Sequence, residues 1–354
     1  MTKQEHHLNR SVGCLLGGAV GDALGAPVEF IDRHEIFQRF GAKGIRDYVM
    51  AYGRIGAITD DTQMTLFTAE GCLLAFALGR SEVADDCIDV IRQSYLRWLK
   101  TQGISSDMPA EYNGWLMEQD ALFSRRAPGN TCLSALRHRG AEQNQSKGCG
   151  GIMRVAPCGI LYAGNPDKAF MLGLEAAKLT HGHPTGYLSA AVFAAIIAEL
   201  MVGKPLPVAI QSSRAILVNS DDYTETLMAL DGAIQMATVN KEPAIAIPVL
   251  GEGWVAEEAL AISIYCALTA KNLEEGIVTA VNITGDSDST GAITGNILGA
   301  MAGVEAIPSR WLEQLELRDV IETVAQDLVL LPLAKSLDVG DECLRRYIRR
   351  EVIA

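Results

Sequence analysis

Apolar side chains recur at three- and four-residue steps along most of the chain, which is the spacing that gathers them on one face of an α-helix. The alternation of apolar and polar residues that is typical of a half-buried strand is scarce. The pattern therefore predicts helices over residues 63–78, 83–99, 169–179, 186–202, 224–238, 257–270 and 273–283.

The connections between these segments are short, and no Ser- or Pro-rich linker marks a domain boundary. A chain of 354 residues has room for two ordinary domains or for one large helical domain. Half of the residues are apolar and 21% are charged, which does not favour disorder. We predict an all-α protein in which residues 1–354 form a single compact domain.

Two segments carry glycine at every fourth position, and four-residue spacing places these glycines on one face of a helix. Each glycine inside a helix costs about 1 kcal/mol relative to alanine, so two such stripes need a compensating role. Close approach of two helix backbones near the centre of the bundle would provide it, with the outer Gly25 and Gly291 expected in loops. The stripes are Gly13, Gly17, Gly21 and Gly25, and Gly291, Gly295, Gly299 and Gly303.

Charge and cysteine content limit the environment of the protein. A net charge of −13 argues against a non-specific nucleic-acid binder and makes anionic membrane surfaces poor partners. The eight cysteines contain no CxxC pair, which favours reduced thiols and a cytoplasmic location. The apolar run 12–28 has some likeness to a signal peptide, but Asp22 and many glycines interrupt it. We expect neither export nor a membrane span.

Two acidic segments stand directly before helices: TDDT at 59–62 and GDSDSTG at 285–291. Helix capping is one explanation, because Asp, Ser and Thr side chains accept hydrogen bonds from the free N–H groups of a helix start. Capping needs one side chain, however, and each segment offers several. Such all-oxygen sets suit hard cations such as Mg²⁺, Mn²⁺ or Ca²⁺ and not Zn²⁺. If the segments meet, their aspartates would bind two divalent cations.

Five motifs, taken in order, resemble the ADP-ribosylglycohydrolase family over residues 12–305. The resemblance implies a single orthogonal helical bundle and a hydrolase that removes ADP-ribose from modified protein. Individually the glycine-rich motifs are weak, whereas the paired acidic motifs are specific. The motifs are GCLLGGAVGDALGAPVEF at 13–30, ITDDTQM at 58–64, GCGGIMRVAPCGILY at 148–162, LTHGHPTGY at 179–187 and TGDSDSTGAITGNILGAMAG at 284–303.

The resemblance implies two Mg²⁺ or Mn²⁺ ions as cofactors. The chain departs from the family pattern at Ser289, where threonine is usual, and at Thr284, where glycine is common. The hydroxyl ligand survives at Ser289, so metal binding is still expected. The implied metal ligands are Thr59, Asp60, Asp61, Asp286, Asp288 and Ser289.

The resemblance also implies roles around the metals. Glu29 matches an acidic residue that lies beside the metals in relatives, so it is the candidate acid/base group or water-orienting group. Asp22 is expected to hold a helix in place and Arg154 to form a structural ion pair. His183 is expected to serve local loop structure. The implied ADP-ribose-binding residues are Gly148, Cys149, Gly150, Gly151 and His181; Cys149 stands where relatives often have asparagine or serine.

The reaction implied by the resemblance is hydrolysis of the bond between ADP-ribose and an arginine side chain. Three alternatives stay open at this point. The linkage could be to serine, to another ADP-ribose or to a nucleobase. The protein could be an antidote that also binds and blocks an ADP-ribosyltransferase toxin. Some relatives are non-enzymatic structural proteins, although the retained metal ligands argue against that reading. No nucleic-acid or membrane partner is expected.

Overall fold

The helical periodicity of the sequence is realised along most of the chain. The computed structural model describes residues 2–79, 84–108, 113–333 and 345–347. Within these ranges the all-α prediction is confirmed, since the strands β1 (Met50–Ala51) and β2 (Arg54–Ile55) form only a short antiparallel hairpin. The α-helices are α1 Lys3–Gly25, α2 Arg33–Phe40, α3 Asp60–Ala77, α4 Ala84–Thr101, α5 Asn130–Arg137, α6 Ala156–Leu161, α7 Pro166–Lys178, α8 Pro184–Met201, α9 Leu206–Leu217, α10 Thr224–Thr238, α11 Pro243–Leu250, α12 Ala256–Thr269, α13 Leu273–Val281, α14 Ser287–Ala302, α15 Ser309–Leu312 and α16 Arg318–Leu333.

Every predicted helical segment lies largely within one of these helices, namely α3, α4, α7, α8, α10, α12 and α13. Residue 83, the first of its predicted segment, lies outside the described residues. The largest shifts, of three residues, are at the starts of α3 and α7; α3 begins at Asp60 and not at residue 63. The cause is Thr59, whose side chain accepts a hydrogen bond from the Asp61 N–H and so caps the helix ahead of its apolar stripe.

The two glycine stripes face each other along an antiparallel pair formed by α1 and α14. A Cβ added at Gly17 would lie under 3.0 Å from the carbonyl oxygen of Gly295, and one added at Gly295 would meet Gly17 in the same way. The predicted close approach of two backbones is confirmed. Gly25 and Gly291 are helical, so their assignment to loops was wrong; each is needed where the two helices remain in contact.

This helix pair determines where the acidic residues lie. Because the helices are antiparallel, Gly25 at the end of α1 packs against Ser287 and Asp288 at the start of α14. Glu29 follows α1 by four residues in a turn, so it emerges beside the aspartates of α14. Residues that are far apart in sequence are therefore held together by rigid helices.

Among the helices of the described residues, α8 alone has the length and hydropathy of a membrane-spanning helix, but 89% of it is buried within the protein. It packs against α6, α7 and α9, so a core position accounts for its composition. The thiols fit the same core. Cys72 and Cys266 are buried, and the seven cysteines in the described part of the chain are all free. Cys343 lies outside the described residues.

Candidate metal centre and ligand cleft

The starts of α3 and α14 open into one cavity of about 670 Å³. A volume of this size is typical of small-molecule sites, which span about 300–1,000 Å³. Five carboxylates line the cavity together with a hydroxyl: Glu29, Asp60, Asp61, Asp286, Asp288 and Ser289. All six residues are at least nine-tenths buried. Of the predicted metal ligands, Thr59 alone does not line the cavity; it is fully buried at the start of α3.

Asp22 holds the start of α3 in place. Its carboxylate accepts the backbone N–H of Thr59 at 3.0 Å, the Thr59 hydroxyl at 2.8 Å and the Thr62 N–H at 3.1 Å. The helix-holding role predicted for Asp22 is confirmed by these contacts. The Thr59 hydroxyl donates its proton to Asp22 and accepts the Asp61 N–H with one lone pair. Its second lone pair is free to contact a cation.

Capping explains one side chain in each acidic segment and leaves the others for a different task. At α14 the capping residue is Asp286, which accepts the Ser289 N–H at 3.2 Å. Asp288 accepts the same N–H at 3.0 Å. The Ser289 hydroxyl makes a long contact of 3.9 Å with the Met153 sulfur. The capping explanation is therefore confirmed for Thr59 and Asp286, and metal binding by the other side chains stays a prediction.

Glu29, Asp286 and Asp288 form the tightest group, with one carboxylate oxygen of each within 4.8 Å of the others. Two buried oxygens in the cavity, Glu29 Oε2 and Asp61 Oδ1, have no hydrogen-bond partner among the described residues. A buried acceptor left without a donor is costly, so these atoms indicate a site that is completed by a cation or a water.

The electrostatics support the same view. Burial raises the pKa values of Asp60, Asp61 and Asp286 well above their ordinary range, and the charge of Asp288 raises each of them further. Burial and the neighbouring aspartates raise the pKa of Glu29 to about 11. Among the described residues, Arg125 is the only basic residue that lines the cavity, and it is exposed. The protein itself therefore supplies little positive charge to this group.

The donor set fits hard divalent cations. Carboxylate and hydroxyl oxygens are the ligands that Mg²⁺ and Mn²⁺ prefer, and no histidine of the described chain lines the cavity. Cys149 also lines it, but its thiol donates to Asp286 Oδ2 at 2.7 Å. Burial, together with Asp286, raises the pKa of this thiol well above its usual value, so Cys149 acts as a donor that orients a carboxylate.

The predicted glycine loop forms a turn of 3-10 helix at Cys149–Gly151 on one side of the cavity. Cys149 and Gly150 line the cavity, whereas Gly148 and Gly151 lie behind it. The N–H of Cys149 donates to the Trp254 carbonyl at 3.1 Å, and that of Gly148 donates to the Ser146 hydroxyl at 3.3 Å. The N–H groups of Gly148 and Cys149 are thus occupied. Gly150 is the glycine of this loop that lines the cavity, so a ligand there can reach it directly.

His181 lies beneath this loop and does not line the cavity. It is 1% exposed, and a Cβ added at Gly150 or Gly151 would approach its ring within 3.1–3.4 Å. Burial, with the nearby Arg154 cation, lowers the pKa of His181 to about 3, so the ring is neutral at ordinary pH. The structure gives His181 a supporting position; a direct contact with ligand stays a prediction.

Arg154 and His183 have structural positions. The ion pair predicted for Arg154 is wrong for the described residues, because its buried guanidinium donates to the Ala176 carbonyl and the Thr180 hydroxyl. It also lies 4.4 Å from the centre of the Tyr95 ring, and this aromatic face takes the place of a carboxylate. His183 caps α8 by accepting the Thr185 N–H at 3.2 Å, which confirms its local role.

An aromatic pair at the cavity was missed by the sequence reasoning. The rings of Phe30 and Trp254 stack with centroids 6.0 Å apart, and Phe30 is 70% exposed. Both residues line the cavity. The available signal was a tryptophan inside the glycine-rich segment 251–254 and a phenylalanine directly after Glu29, since neither fits a helical apolar stripe.

Comparison with known proteins agrees with this geometry. A family model described as ADP-ribosylglycohydrolase matches residues 3–337. ADP-ribosyl-[dinitrogen reductase] glycohydrolase of Rhodospirillum rubrum is 28% identical, with 92% of this chain and 97% of that protein covered. ADP-ribosylarginine hydrolase Tri1 of Serratia proteamaculans is 26% identical, with coverage of 92% and 80%. A solved structure titled "ADP-ribosylglycohydrolase-related protein complex" matches with a TM-score of 0.61 at 27% identity, covering 92% of this chain and 99% of that one.

Proposed function

The chain belongs to the ADP-ribosylglycohydrolase family, and from that premise we propose that it removes ADP-ribose from a modified arginine side chain, using two divalent cations. Family membership supports hydrolase activity in general. The observation that carries the finer proposal is the buried group of carboxylates around Glu29 and Asp61, whose oxygens lack partners among the described residues.

Two Mg²⁺ or Mn²⁺ ions fit this group. Bound there, they would supply the positive charge that polarises ribose and diphosphate oxygens and makes a water more acidic. The proposed ligands come from the starts of two helices, which fixes their positions before any substrate arrives. They are Thr59, Asp60, Asp61, Asp286, Asp288 and Ser289.

Glu29 is the proposed acid/base residue. It is 7% exposed, lines the cavity and lies beside Asp286 and Asp288 without belonging to either helix. In the proposed reaction a water oxygen bonds to C1 of the ribose while the bond from C1 to the guanidino nitrogen breaks. With cations bound, their charge would lower the pKa of Glu29, so that its carboxylate holds the water and accepts its proton at Oε2, and a proton returns to the departing nitrogen.

The remainder of the cavity offers contacts for an ADP-ribose group. Phe30 and Trp254 provide aromatic faces on which a base or a ribose can stack. Gly150 allows close approach of a diphosphate to the backbone, and Arg125 is the basic side chain beside it. The anionic diphosphate needs these contacts with Gly150 and Arg125, because ionised carboxylates would otherwise repel it.

An arginine linkage is favoured by the charge of the departing group. A guanidine leaves as a cation and is attracted by any carboxylate of the cavity that the metals do not fully neutralise, whereas serine leaves as a neutral alcohol and gains nothing from that field. The relatives named as arginine hydrolases are consistent with this choice. Relatives named ADP-ribosylhydrolase ARH3 match at 22–24% identity, so the family resemblance alone does not select the linkage.

The test uses Asp60→Ala and Asp288→Ala with a matched control. Each change removes a proposed ligand, so we expect calorimetry to show weaker Mg²⁺ binding and assays to show no ADP-ribose release. Asp167→Ala is the control, because Asp167 is also in the first turn of a helix, α7, but does not line the cavity. Equal Mg²⁺ affinity in all four proteins would refute the metal site.

Linkage is tested separately with arginine-, serine- and nucleobase-linked substrates. We expect the arginine-linked substrate to react fastest and its rate to fall most steeply with ionic strength, because screening weakens the attraction of the cation. A faster serine reaction would overturn the arginine assignment and leave the metal proposal standing. Tight binding of an ADP-ribosyltransferase without hydrolysis would favour the immunity function instead.

A further inference from the structure

A second cavity, of about 460 Å³, lies between α2, α11 and α13. It shares no lining residue with the acidic cavity. Two segments of its wall, 251–252 and 282–284, end two residues before Trp254 and Asp286 along the chain. The N–H of Asp286 donates to the Glu252 carbonyl at 2.8 Å. This bond joins a residue that lines the acidic cavity to a residue that lines the second cavity.

The inner wall of the second cavity is apolar. Ile247 of α11, Val278 of α13 and Ile283 are each less than 9% exposed, yet all three contribute surface to it. Phe37 and Pro248 extend this apolar wall towards the outside. An apolar molecule of one or two rings would therefore replace water over a continuous hydrocarbon surface, which is favourable by about 25 cal/mol for each Å² removed from water.

Two basic residues also line the cavity, and neither has an acidic partner in the described chain. Arg33, at the start of α2, has its guanidinium 4.4 Å from the centre of the Phe37 ring, and Lys43 follows the same helix. Neighbouring cations are paired: Arg39 with Glu35 and Arg46 with Glu274. Arg33 and Lys43 are thus set apart from the basic residues around them.

The charge of the whole protein makes this arrangement unusual. The chain carries a net charge of −13, so a surface position with two unpaired cations reverses the local sign. Glu252 is the one acidic residue that lines the cavity within the described chain, and it forms no ion pair with either cation. One net positive charge therefore remains at the opening, above an apolar wall.

We propose that the second cavity is a binding site for a small amphipathic anion, in which a carboxylate or phosphate contacts Arg33 and Lys43 and an apolar body packs on Val278 and Ile283. Arginine binds both oxyanions through two parallel N–H groups, so the two head groups share one chemistry. The site is independent of the proposed hydrolase reaction, because it contains none of the carboxylates of the acidic cavity.

The test measures binding of 2-naphthoate and 2-naphthyl phosphate to the full chain by calorimetry, with 2-naphthylmethylamine as the cationic comparison. EDTA is present, so that anions cannot bind through divalent cations. We expect both anions to bind, the amine not to bind, and the double variant Arg33→Ala/Lys43→Ala to lose at least about tenfold in anion affinity, the scale expected for one charge-assisted contact. The preferred head group distinguishes a carboxylate ligand from a phosphate ligand.

Two further variants keep the result interpretable. Arg39→Ala removes a cation from the same helix outside the cavity and should bind the anions as the unmodified protein does. Thr279→Phe places a ring inside the cavity and should abolish binding while the cations remain. Equal anion affinity in the double variant, retained binding in Thr279→Phe, or comparable binding of the amine would each overturn the proposal.

Discussion

The contact between α1 and α14 leads to a sharp prediction for a single methyl group. In Gly295→Ala the added Cβ would lie under 3.0 Å from the carbonyl oxygen of Gly17, a distance that real Cβ atoms essentially never show. A backbone carbonyl cannot rotate away as a side chain does. The two helices would have to separate, and packing would be lost along a contact that includes Gly13, Gly21 and Gly25.

The change in the free energy of unfolding for Gly295→Ala follows from two opposing effects. Alanine is a better helix former than glycine by about 1 kcal/mol. Overpacking of a well-packed core costs about 1–3 kcal/mol, and a backbone clash belongs at the upper end of that range. The net loss is therefore about 2 kcal/mol for Gly295→Ala. With an unfolding entropy of about 2.1 cal/mol/K per residue, this corresponds to a fall of about 3 °C in the melting temperature of a chain of 354 residues.

Gly232 in α10 provides the matched control. A Cβ added there would meet only the Leu250 side chain, at an ordinary contact distance of 3.8 Å. Gly232→Ala should therefore keep the gain in helix propensity and raise stability by up to about 1 kcal/mol. Urea unfolding followed by circular dichroism measures both variants. If Gly295→Ala were as stable as Gly232→Ala, the close backbone contact would be refuted.

Three further predictions concern the cavity and its supports. Magnesium should raise the melting temperature more at pH 7.5 than at pH 5.5. Burial and the charge of Asp288 raise the pKa values of the proposed ligands Asp60, Asp61 and Asp286, so the metal-free folded chain holds protons that compete with the cation, and this competition weakens as the pH rises. An equal effect at both pH values would contradict this. Arg126→Ala should cost about 3 kcal/mol in urea unfolding, the lower end of the range for breaking a buried ion pair, since the buried Glu316 carboxylate loses Arg126 but keeps Arg54 at 2.8 Å; a loss below about 1 kcal/mol would contradict the role of the Arg126–Glu316 pair. Gly150→Val should weaken ADP-ribose binding in calorimetry, because its Cβ would press on Cys132 and the His181 ring, and unchanged affinity would move the ligand away from this loop.

The sequence was most informative where one physical rule acts alone. Helical periodicity predicted α10 to the residue, and four-residue glycine spacing predicted the α1–α14 contact. It was weaker at helix ends, because Gly25 and Gly291 have the composition of loop residues until a partner helix is known to face them. Tertiary contact, which periodicity does not describe, decides such positions.

Residues that act through their neighbours could not be predicted in the same way. Arg154 looked like an ion-pair residue, because a buried cation usually needs a carboxylate, but the Tyr95 ring and neutral oxygens surround it. The stacking of Phe30 on Trp254 joins two loops more than two hundred positions apart, and nothing local in either loop encodes the other. The antiparallel contact of α1 and α14 places the turn of Phe30 beside α14, and the bond from the Asp286 N–H to the Glu252 carbonyl holds the loop of Trp254 there.

The ends of two helices help to hold so much negative charge together. Asp60 and Asp61 lie in the first turn of α3, and Asp286 and Asp288 lie at the start of α14, so each pair is close to the positive end of a helix dipole. Each dipole end is equivalent to about half a positive charge, so two of them offset about one of the five negative charges that these aspartates and Glu29 would carry when ionised. About four negative charges would remain, which is the charge that two divalent cations neutralise. The charge balance of the five carboxylates that line the cavity therefore supports the proposed pair of metals, as their oxygen ligands do.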